Sequence, residues 1–489
     1  LDGFAPSKNP AMWNDELFKQ LNRLSHTGTT FSTFTAAGIV RRGLKSAGFD
    51  VKKVKGFGHK REMAIGALNE QPLSFSQRQN EAEPWFTNRT IITPDINKVL
   101  IVGAGLAGCH TARALVNKGI QVDIWDCHQN IAEEASGNAQ GMLYPKLASQ
   151  DSSVNRFYLS SYLYACRLLN QLEQKQGLIW QRTGLEQRAT TPNEAIKFEK
   201  LIKQGLYPDS VMTAFGDETS DEKAIFWPLS GWASPKKWCQ QLVQHKNIHF
   251  HPGHRLRALK QTDSTWEASA SVNDISDVKT ESYSHIVLCT ANHKDITDPL
   301  LSLPTKAVRG QVSALTLTNP LTLDRVLCQT GYVSPPIDNV LNFGSSYSFD
   351  DNNQNVTLSD HQGNLKKLTE LIPDFDWLSK GTECAGRVAF RCTVLDHAPI
   401  IGPIPNKTSF IDTYKMLSKN AKWKTNEIAE NLTGLYINIG HGSRGLISTP
   451  LAGEYLASLI LQETSVYERQ VERCIHPARF MVRELKKAQ

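Results

Sequence analysis

The spacing of apolar and polar residues divides the chain into segments of different character. Val99 to Val102 is an unbroken apolar run, too short for a helix, which predicts a strand buried on both faces. Glycines follow at 103, 105 and 108. Thr111 to Lys118 then predicts a helix that Gly119 ends, and Gln121 to Trp125 predicts a second strand. Asp126 stands 18 residues past Gly108. Upstream, Trp13 to Leu24 and Ala37 to Ala47 have helical periodicity, and Gly48 ends the latter. Thr29 to Phe34 is β-rich, and Phe49 to Val54 with Glu62 to Leu68 predicts a closing strand pair around Gly56-Phe57-Gly58. Residues 71 to 97 lose periodicity and read as a linker, with Trp85-Phe86 able to pin it to a neighbouring surface. Further on, Asn247 to His251, Val312 to Leu317 and Ser284 to Thr290 predict strands among helices. Gly434 to Gly445 predicts a strand running into a glycine turn, and Pro450 to Ile460 a helix. The alternation predicts an α/β protein.

Composition narrows the class. A chain of 489 residues with 40% hydrophobic content predicts about two or three domains. No apolar run reaches the ~20 residues that span a bilayer, and no charged-then-apolar leader is present. Nine scattered cysteines without a C-x-x-C pair predict reduced thiols in a cytoplasmic protein rather than disulfides or a metal site. The sequence opens on Leu1-Asp2-Gly3-Phe4-Ala5-Pro6, which has the character of a strand end and active-site loop and is read as the interior of a longer domain. The net charge of +6 is uneven. Arg41, Arg42, Lys45, Lys52, Lys53, Lys55, Lys60 and Arg61 face only Asp50 and Glu62, and Arg473, Arg479, Arg483, Lys486 and Lys487 repeat the bias. Such clusters suit a polyanion, though composition alone fits solvated faces as well.

The chemistry sits in four segments. In the first, Gly103 allows a tight turn, Gly105 lets the backbone approach a pyrophosphate, and Gly108 lets helix and strand pack closely. The helix N-terminus offers free N–H groups to phosphates, and Asp126 can accept from a ribose hydroxyl. The second, Ala135 to Pro145, places Ser136, Gly137, Asn138, Gln140 and Gly141 in a loop suited to lie against a planar ring. The third, Gly386 to Pro403, carries Arg387 and Arg391 ahead of Asp396; arginine is the residue for two-pronged carboxylate recognition. The fourth, Ile439 to Leu446, sets Gly440, Gly442, Ser443, Arg444 and Gly445 at a helix start, a nest of N–H groups for an electron-rich atom. His441 within it is a weak catalytic candidate.

In this order the segments resemble the D-amino-acid oxidase class of FAD enzymes, which includes glycine oxidase, over residues 98 to 489. The resemblance implies FAD as cofactor and a Rossmann-like FAD-binding domain at about 98–155 and 400–465. It also implies an α+β substrate domain of the D-amino-acid oxidase type at about 156–399. In the family pattern Gly-x-Arg-Pro-x-x-x-Asp the arginine takes the substrate carboxylate. Counting back from Asp396, Arg391 holds that place, with Cys392 where proline is usual. Arg387 is the second candidate, and Tyr332, in Gly331-Tyr332-Val333, a candidate for the substrate wall.

Residues 1 to 70 resemble the end of a partial α/β domain of the S-adenosylmethionine-dependent methyltransferase type. The residues that carry this are Asp2-Gly3-Phe4-Ala5-Pro6, Thr33-Phe34-Thr35-Ala36-Ala37-Gly38 and Gly56-Phe57-Gly58. They are similar to a family of bifunctional bacterial enzymes that modify the wobble uridine of tRNA. The Ala135 to Gly141 loop, Leu143-Tyr144-Pro145 and His476-Pro477-Ala478-Arg479-Phe480 resemble the oxidase half of the same family. The family implies an oxidase that removes the carboxymethyl group from 5-carboxymethylaminomethyl-(2-thio)uridine 34, followed by methylation of the freed amine. It implies Asp2 as a catalytic candidate of the methyltransferase part, whose S-adenosylmethionine site is expected to lie largely outside this sequence. It further implies tRNA as partner, no membrane, a monomer and a cytoplasmic place. An oxidase of free glycine or sarcosine, a non-catalytic tRNA-binding remnant and a nicotinamide-dependent dehydrogenase are the rival readings.

Overall fold

The computed structural model describes residues 4–58, 60–69, 83–88, 96, 98–145, 151–173, 179–216, 223–263, 265–273, 278–318, 320–373 and 384–487. The chain forms two compact units, residues 1–87 with 422–428, and residues 88–421 with 429–489. Most of the predicted linker lies outside the described residues.

In the smaller unit, helix Asp15–Leu24 starts where the Asn14 side chain accepts from the Leu17 N–H at 2.8 Å. Asp15 and Glu16 in its first turn suit the positive end of the helix dipole. Helix Gly38–Ser46 follows. Both pack their apolar stripe on a three-stranded antiparallel sheet ordered Thr30–Thr33, Glu62–Ala67, Asp50–Lys55. The expected closing strand pair is thus present, and Trp13, Phe18, Val40, Leu44 and Val51 form its core.

The larger unit is built on a six-stranded sheet ordered Ile248–His251, Gln121–Trp125, Lys98–Val102, His285–Leu288, Asn431–Ile439, Ile400–Pro405. The first five strands run parallel and the last antiparallel. The glycine turn after Lys98–Val102 therefore lies near the middle of the sheet, at the carboxyl ends of the parallel strands, where open α/β sheets bind ligands. Helices Leu106–Val116, Ser153–Glu173 and Gly445–Ile460 pack together over it. Gly453 permits this, because a Cβ there would come within 2.7 Å of the His110 backbone. A nine-stranded sheet forms a second layer, with Thr305–Thr316 paired along most of its length to Ala385–Val394.

Three expectations need correction. The helix expected at Thr111 begins at Leu106, because the glycine turn itself supplies its first turn. The helix expected at Pro450 begins at Gly445, with Pro450 inside it. The stretch 248–288, expected with the substrate domain, joins the six-stranded sheet through Ile248–His251 and His285–Leu288. Local periodicity identifies a strand but carries no information about which sheet it will enter.

All nine cysteines are free thiols. Among the described residues no helix is long and apolar enough to cross a membrane.

Candidate functional site

The site grows from the turn after the central strand. Gly103 sits at φ +112°, and a Cβ there would lie 2.5 Å from the Cys289 carbonyl oxygen. A Cβ on Gly108 would lie 1.9 Å from the Gly103 carbonyl oxygen, so only glycine lets helix and turn close together. The Leu106 N–H at the helix start donates to Ser136 Oγ at 3.0 Å. Asp126 Oδ2 accepts from the Ala104 N–H at 2.6 Å, and Oδ1 from the His128 N–H at 2.8 Å. Burial pushes this carboxyl up, but His128 and the two N–H groups outweigh it and hold it below the usual carboxylate value. The hydrogen bond to Asp126 in turn raises His128.

These groups open into one cavity of about 820 Å³. It is lined by Gly103, Gly105, Asp126, Ser136, Asn138, Gly141, Gly440, Gly442, Ser443, Arg444 and Gly445, and also by Tyr332 and Arg391. The turn, the loop, the terminal glycine segment and the candidate substrate residues, far apart in sequence, thus share a single space. Gly440 and Gly442 adopt φ of +81° and +56°, which turns the chain from strand into helix. Arg444 donates to the Tyr144 carbonyl at 2.8 Å and stacks over that ring, tying the terminal segment to the end of the loop.

Four expected residues stand apart from the cavity lining. Gly108 acts in helix packing. Gln140 is buried between the Pro335 carbonyl at 3.0 Å and the Asn342 amide at 2.9 Å, joining the loop to the nine-stranded sheet. Arg387, a candidate for the substrate carboxylate, spends its guanidinium on Asn138 Oδ1 at 3.0 Å and on the Glu133 and Glu134 carbonyls. It is a clamp on the loop. Gly137 makes way for it, since a Cβ there would lie 2.4 Å from Arg387 Nη2. His441 does line the cavity, but both of its ring nitrogens are already engaged, Nδ1 2.8 Å from Ser448 Oγ and Nε2 2.8 Å from Asn438 Oδ1. Burial lowers it to about 3, so it is neutral. Asp2 lies outside the described residues.

Arg391 differs from all of these. It donates to Ser345 Oγ at 2.6 Å, and its guanidinium carbon lies 5.1 Å from the Tyr347 ring centroid. No described carboxylate lies within ion-pair distance of it. Burial lowers its pKa, while Tyr332 and Tyr347 act in the opposite sense. Gly310 on the adjacent strand makes the space, because a Cβ there would lie 2.1 Å from Arg391 Nη1. Tyr332 is pushed up to about 12 by burial and keeps its proton. Lys367, which sequence reasoning missed, donates to the Ser345 carbonyl at 2.8 Å and reaches the same cavity. Burial, with Arg391 nearby, lowers it. A partly desolvated cation with no described carboxylate within ion-pair distance, as Arg391 is, suits a ligand carboxylate.

The basic clusters fare differently from each other. In the smaller unit Lys53 pairs with Glu62 at 2.8 Å and Lys52 lies 3.8 Å from Asp50. Arg41, Arg42, Lys45, Lys55, Lys60 and Arg61 have no carboxylate partner among the described residues. At the C-terminus Arg479 is buried against Asp396 at 2.9 Å, and Arg483 meets the same carboxylate at 2.6 Å. That end is therefore not the open basic face its composition suggests.

Comparison with known proteins agrees with this architecture. Residues 98–459 match the FAD dependent oxidoreductase family, and residues 1–69 the S-adenosyl-L-methionine-dependent methyltransferase family. The chain is 47% identical to the tRNA 5-methylaminomethyl-2-thiouridine biosynthesis bifunctional protein MnmC of Marinomonas sp. (strain MWYL1), covering 100% of this chain and 75% of that protein. It is 37% identical to the protein of that name from Pseudomonas aeruginosa (strain PAO1), covering 100% and 74%. Among solved structures, glycine oxidase from Geobacillus kaustophilus superposes with a TM-score of 0.62 at 18% identity, over 76% of this chain and 97% of that one. L-proline dehydrogenase from P. horikoshii gives 0.60 at 14% identity, over 80% and 99%. At these identities the two structures speak for the fold alone.

Proposed function

Because the chain belongs to the family of tRNA 5-methylaminomethyl-2-thiouridine biosynthesis bifunctional proteins, we propose that its larger unit is an FAD-dependent oxidase of the tRNA wobble uridine. The reaction removes the carboxymethyl group of 5-carboxymethylaminomethyl-(2-thio)uridine 34 and leaves 5-aminomethyl-(2-thio)uridine. Methylation by the S-adenosylmethionine-dependent part of the family then completes the 5-methylaminomethyl group. Residues 1–69, in the smaller unit, match that methyltransferase family.

The residues present fit FAD. The turn at Gly103 leaves room for no side chain, the Leu106 helix start faces the cavity, and Asp126 lines it with a carboxylate kept ionised. Ser136, Asn138 and Gly141 on one side and Gly440 to Gly445 on the other would hold the ring system. When bound, FAD supplies the two-electron oxidation of the C–H bond beside nitrogen, after which water releases glyoxylate. The chain's own part is positioning. Arg391 grips the glycine-like carboxylate, Tyr332 walls the arm as a protonated phenol, and Arg387 keeps the loop at 133–138 in place. Holding the reacting carbon in one orientation removes much of the entropic barrier.

Arg391 carries this reading: a cation with no carboxylate partner among the described residues, in the same cavity as the nucleotide turn. The test is to incubate flavin-loaded protein with tRNA bearing the carboxymethylaminomethyl group and weigh the nucleosides after digestion. Conversion to the aminomethyl nucleoside with release of glyoxylate is expected. An unchanged nucleoside in the presence of yellow protein overturns the reading. With tRNA as partner, the place of action is the cytoplasm.

A further inference from the structure

A cavity of about 820 Å³ takes a nucleoside's side arm, not a tRNA. The base that carries the arm must be held at the mouth, where the structure offers an unusual pair of rings. Tyr347 and Phe349 are 51% and 60% exposed, with centroids 5.3 Å apart and planes at 70°. Tyr347 also lines the cavity and carries the Arg391 guanidinium over its ring. One face of the pair therefore continues into the wall that receives the carboxylate.

The segment bearing the rings is anchored from below. Ser348–Phe349 is a short edge strand in register with Val308 and Arg309. Arg309 is only 1% exposed, yet it sends its whole guanidinium into the loop that follows the rings and into the first turn of helix Leu358–Leu371. Nε donates to the Asn353 carbonyl at 2.6 Å, Nη2 to the Asn355 carbonyl at 2.7 Å, and Nη1 to Asp360 at 2.5 Å. Gln311 closes the loop by exchanging hydrogen bonds with the Thr357 backbone at 2.8 and 3.0 Å. Asp360 and the two carbonyls offset the cost of burying this cation, and removing any of them would leave part of the guanidinium unpaired, so the segment is held in one shape. Asn352 and Gln354 in that loop turn to the cavity, and primary amides pair with the donor and acceptor edge of a pyrimidine.

We propose that Tyr347 and Phe349 form a stacking platform for the pyrimidine that carries the reactive arm, and that Arg309 holds the platform in shape. This rests on the tRNA reading above. Stacking on aromatic side chains is how proteins commonly hold unpaired bases, and it is worth ~1–3 kcal/mol per base. A base held against these rings has a short arm at C5 within reach of Arg391, whose guanidinium carbon lies 5.1 Å from the Tyr347 ring centroid. An oxidase of a free amino acid needs neither the exposed rings nor the buried anchor.

Two measurements test the platform. In the first, steady-state oxidation of carboxymethylaminomethyl-tRNA by the holoenzyme is followed with an artificial electron acceptor present to reoxidise the flavin. Phe349→Ala is expected to raise KM about ten-fold with little change in kcat, and Phe349→Trp to restore it. The flavin spectrum, unchanged in both variants, shows that they fold. The second needs no turnover. An anticodon stem-loop with 5-iodouridine at the wobble position is irradiated on the protein, and the crosslink is located by peptide sequencing. A crosslink at Tyr347 or Phe349 supports the platform. A crosslink elsewhere, or an unchanged KM in Phe349→Ala, overturns it. Wild-type protein that crosslinks at Tyr347 yet does not oxidise the modified tRNA sinks the oxidase reading and leaves the platform standing.

Discussion

A guanidinium is a fixed fork, and its value depends on what the fork is given. Arg391 and Arg387 stand four residues apart on one strand, Ala385–Val394, yet of the two Arg391 lines the cavity, with no carboxylate partner among the described residues. Replacing it by lysine keeps the charge and loses the two-pronged geometry. The expected result is a fall of about 100-fold in kcat/KM on the modified tRNA, equal to about 2.7 kcal/mol at 1.36 kcal/mol per ten-fold. Flavin absorbance of the variant should match wild type, because Arg391 belongs to the substrate end. The opposite result is expected at Gly108. There alanine drives a Cβ to 1.9 Å from the Gly103 carbonyl oxygen, and backbone cannot step aside as a side chain can. Gly108→Ala should purify colourless and fail to take up added FAD, read directly by absorbance.

At the scale of elements, the two arginine-held joints matter most. Arg387 reaches back about 250 residues to hold the loop at 133–138, and Ser136 in that loop caps the Leu106 helix start. Arg387→Ala should release the loop and raise the dissociation constant for FAD at least ten-fold, measured by quenching of flavin fluorescence. Asp396 joins the turn after that same strand to helix Arg479–Lys487. Burial pushes its carboxyl up, but bonds from Arg479 and Arg483 outweigh this and leave it below the usual value. A carboxyl lowered by folding stabilises above its unfolded pKa, near ~3.9. That contribution is lost as pH falls through the lower folded value. Asp396→Asn strands the buried Arg479 and should cost about 3 kcal/mol at neutral pH. Denaturant melts from pH 7 down to 3 should show the gap between variant and wild type closing towards the acid end. These joints also mark how far the sequence could be read. The glycine turn was legible because it is local: strand, turn, helix and acid lie within 30 residues. The nest at Gly440–Gly445 was legible for the same reason. Arg387 and Arg479 were not, since their partners are distant in sequence and nothing in a run of charges tells a clamp from a solvated face. Tyr347, Phe349 and Lys367 went unseen because they sit in a polar stretch with no motif of its own. Arg309, which anchors that segment, drew no notice either, since its burial shows only in the fold.

Across the whole molecule the charge is lopsided, and that has a measurable consequence for a polyanionic substrate. The chain's net charge is +6. The C-terminal arginines are partly consumed by Asp396. The smaller unit keeps Arg42, Lys45, Lys55, Lys60 and Arg61 exposed and without described carboxylate partners. Each such group that meets a phosphate releases a condensed counterion, so the affinity falls with salt at ~0.7–0.9 logarithmic units per contact per decade. Changing Arg42, Lys45, Lys55 and Lys60 together to glutamine removes up to four contacts. The slope of log K against log salt should then flatten by about three, with affinity for tRNA falling most at low ionic strength. The rate of flavin reduction at saturating tRNA should stay at the wild-type value, because these residues lie in the smaller unit and the cavity is lined by the larger one. Filter binding over a salt series, paired with stopped-flow reduction, separates the two quantities. A slope unchanged in the quadruple variant assigns the phosphate contacts to another face of the protein and returns this segment to the status of a solvated surface.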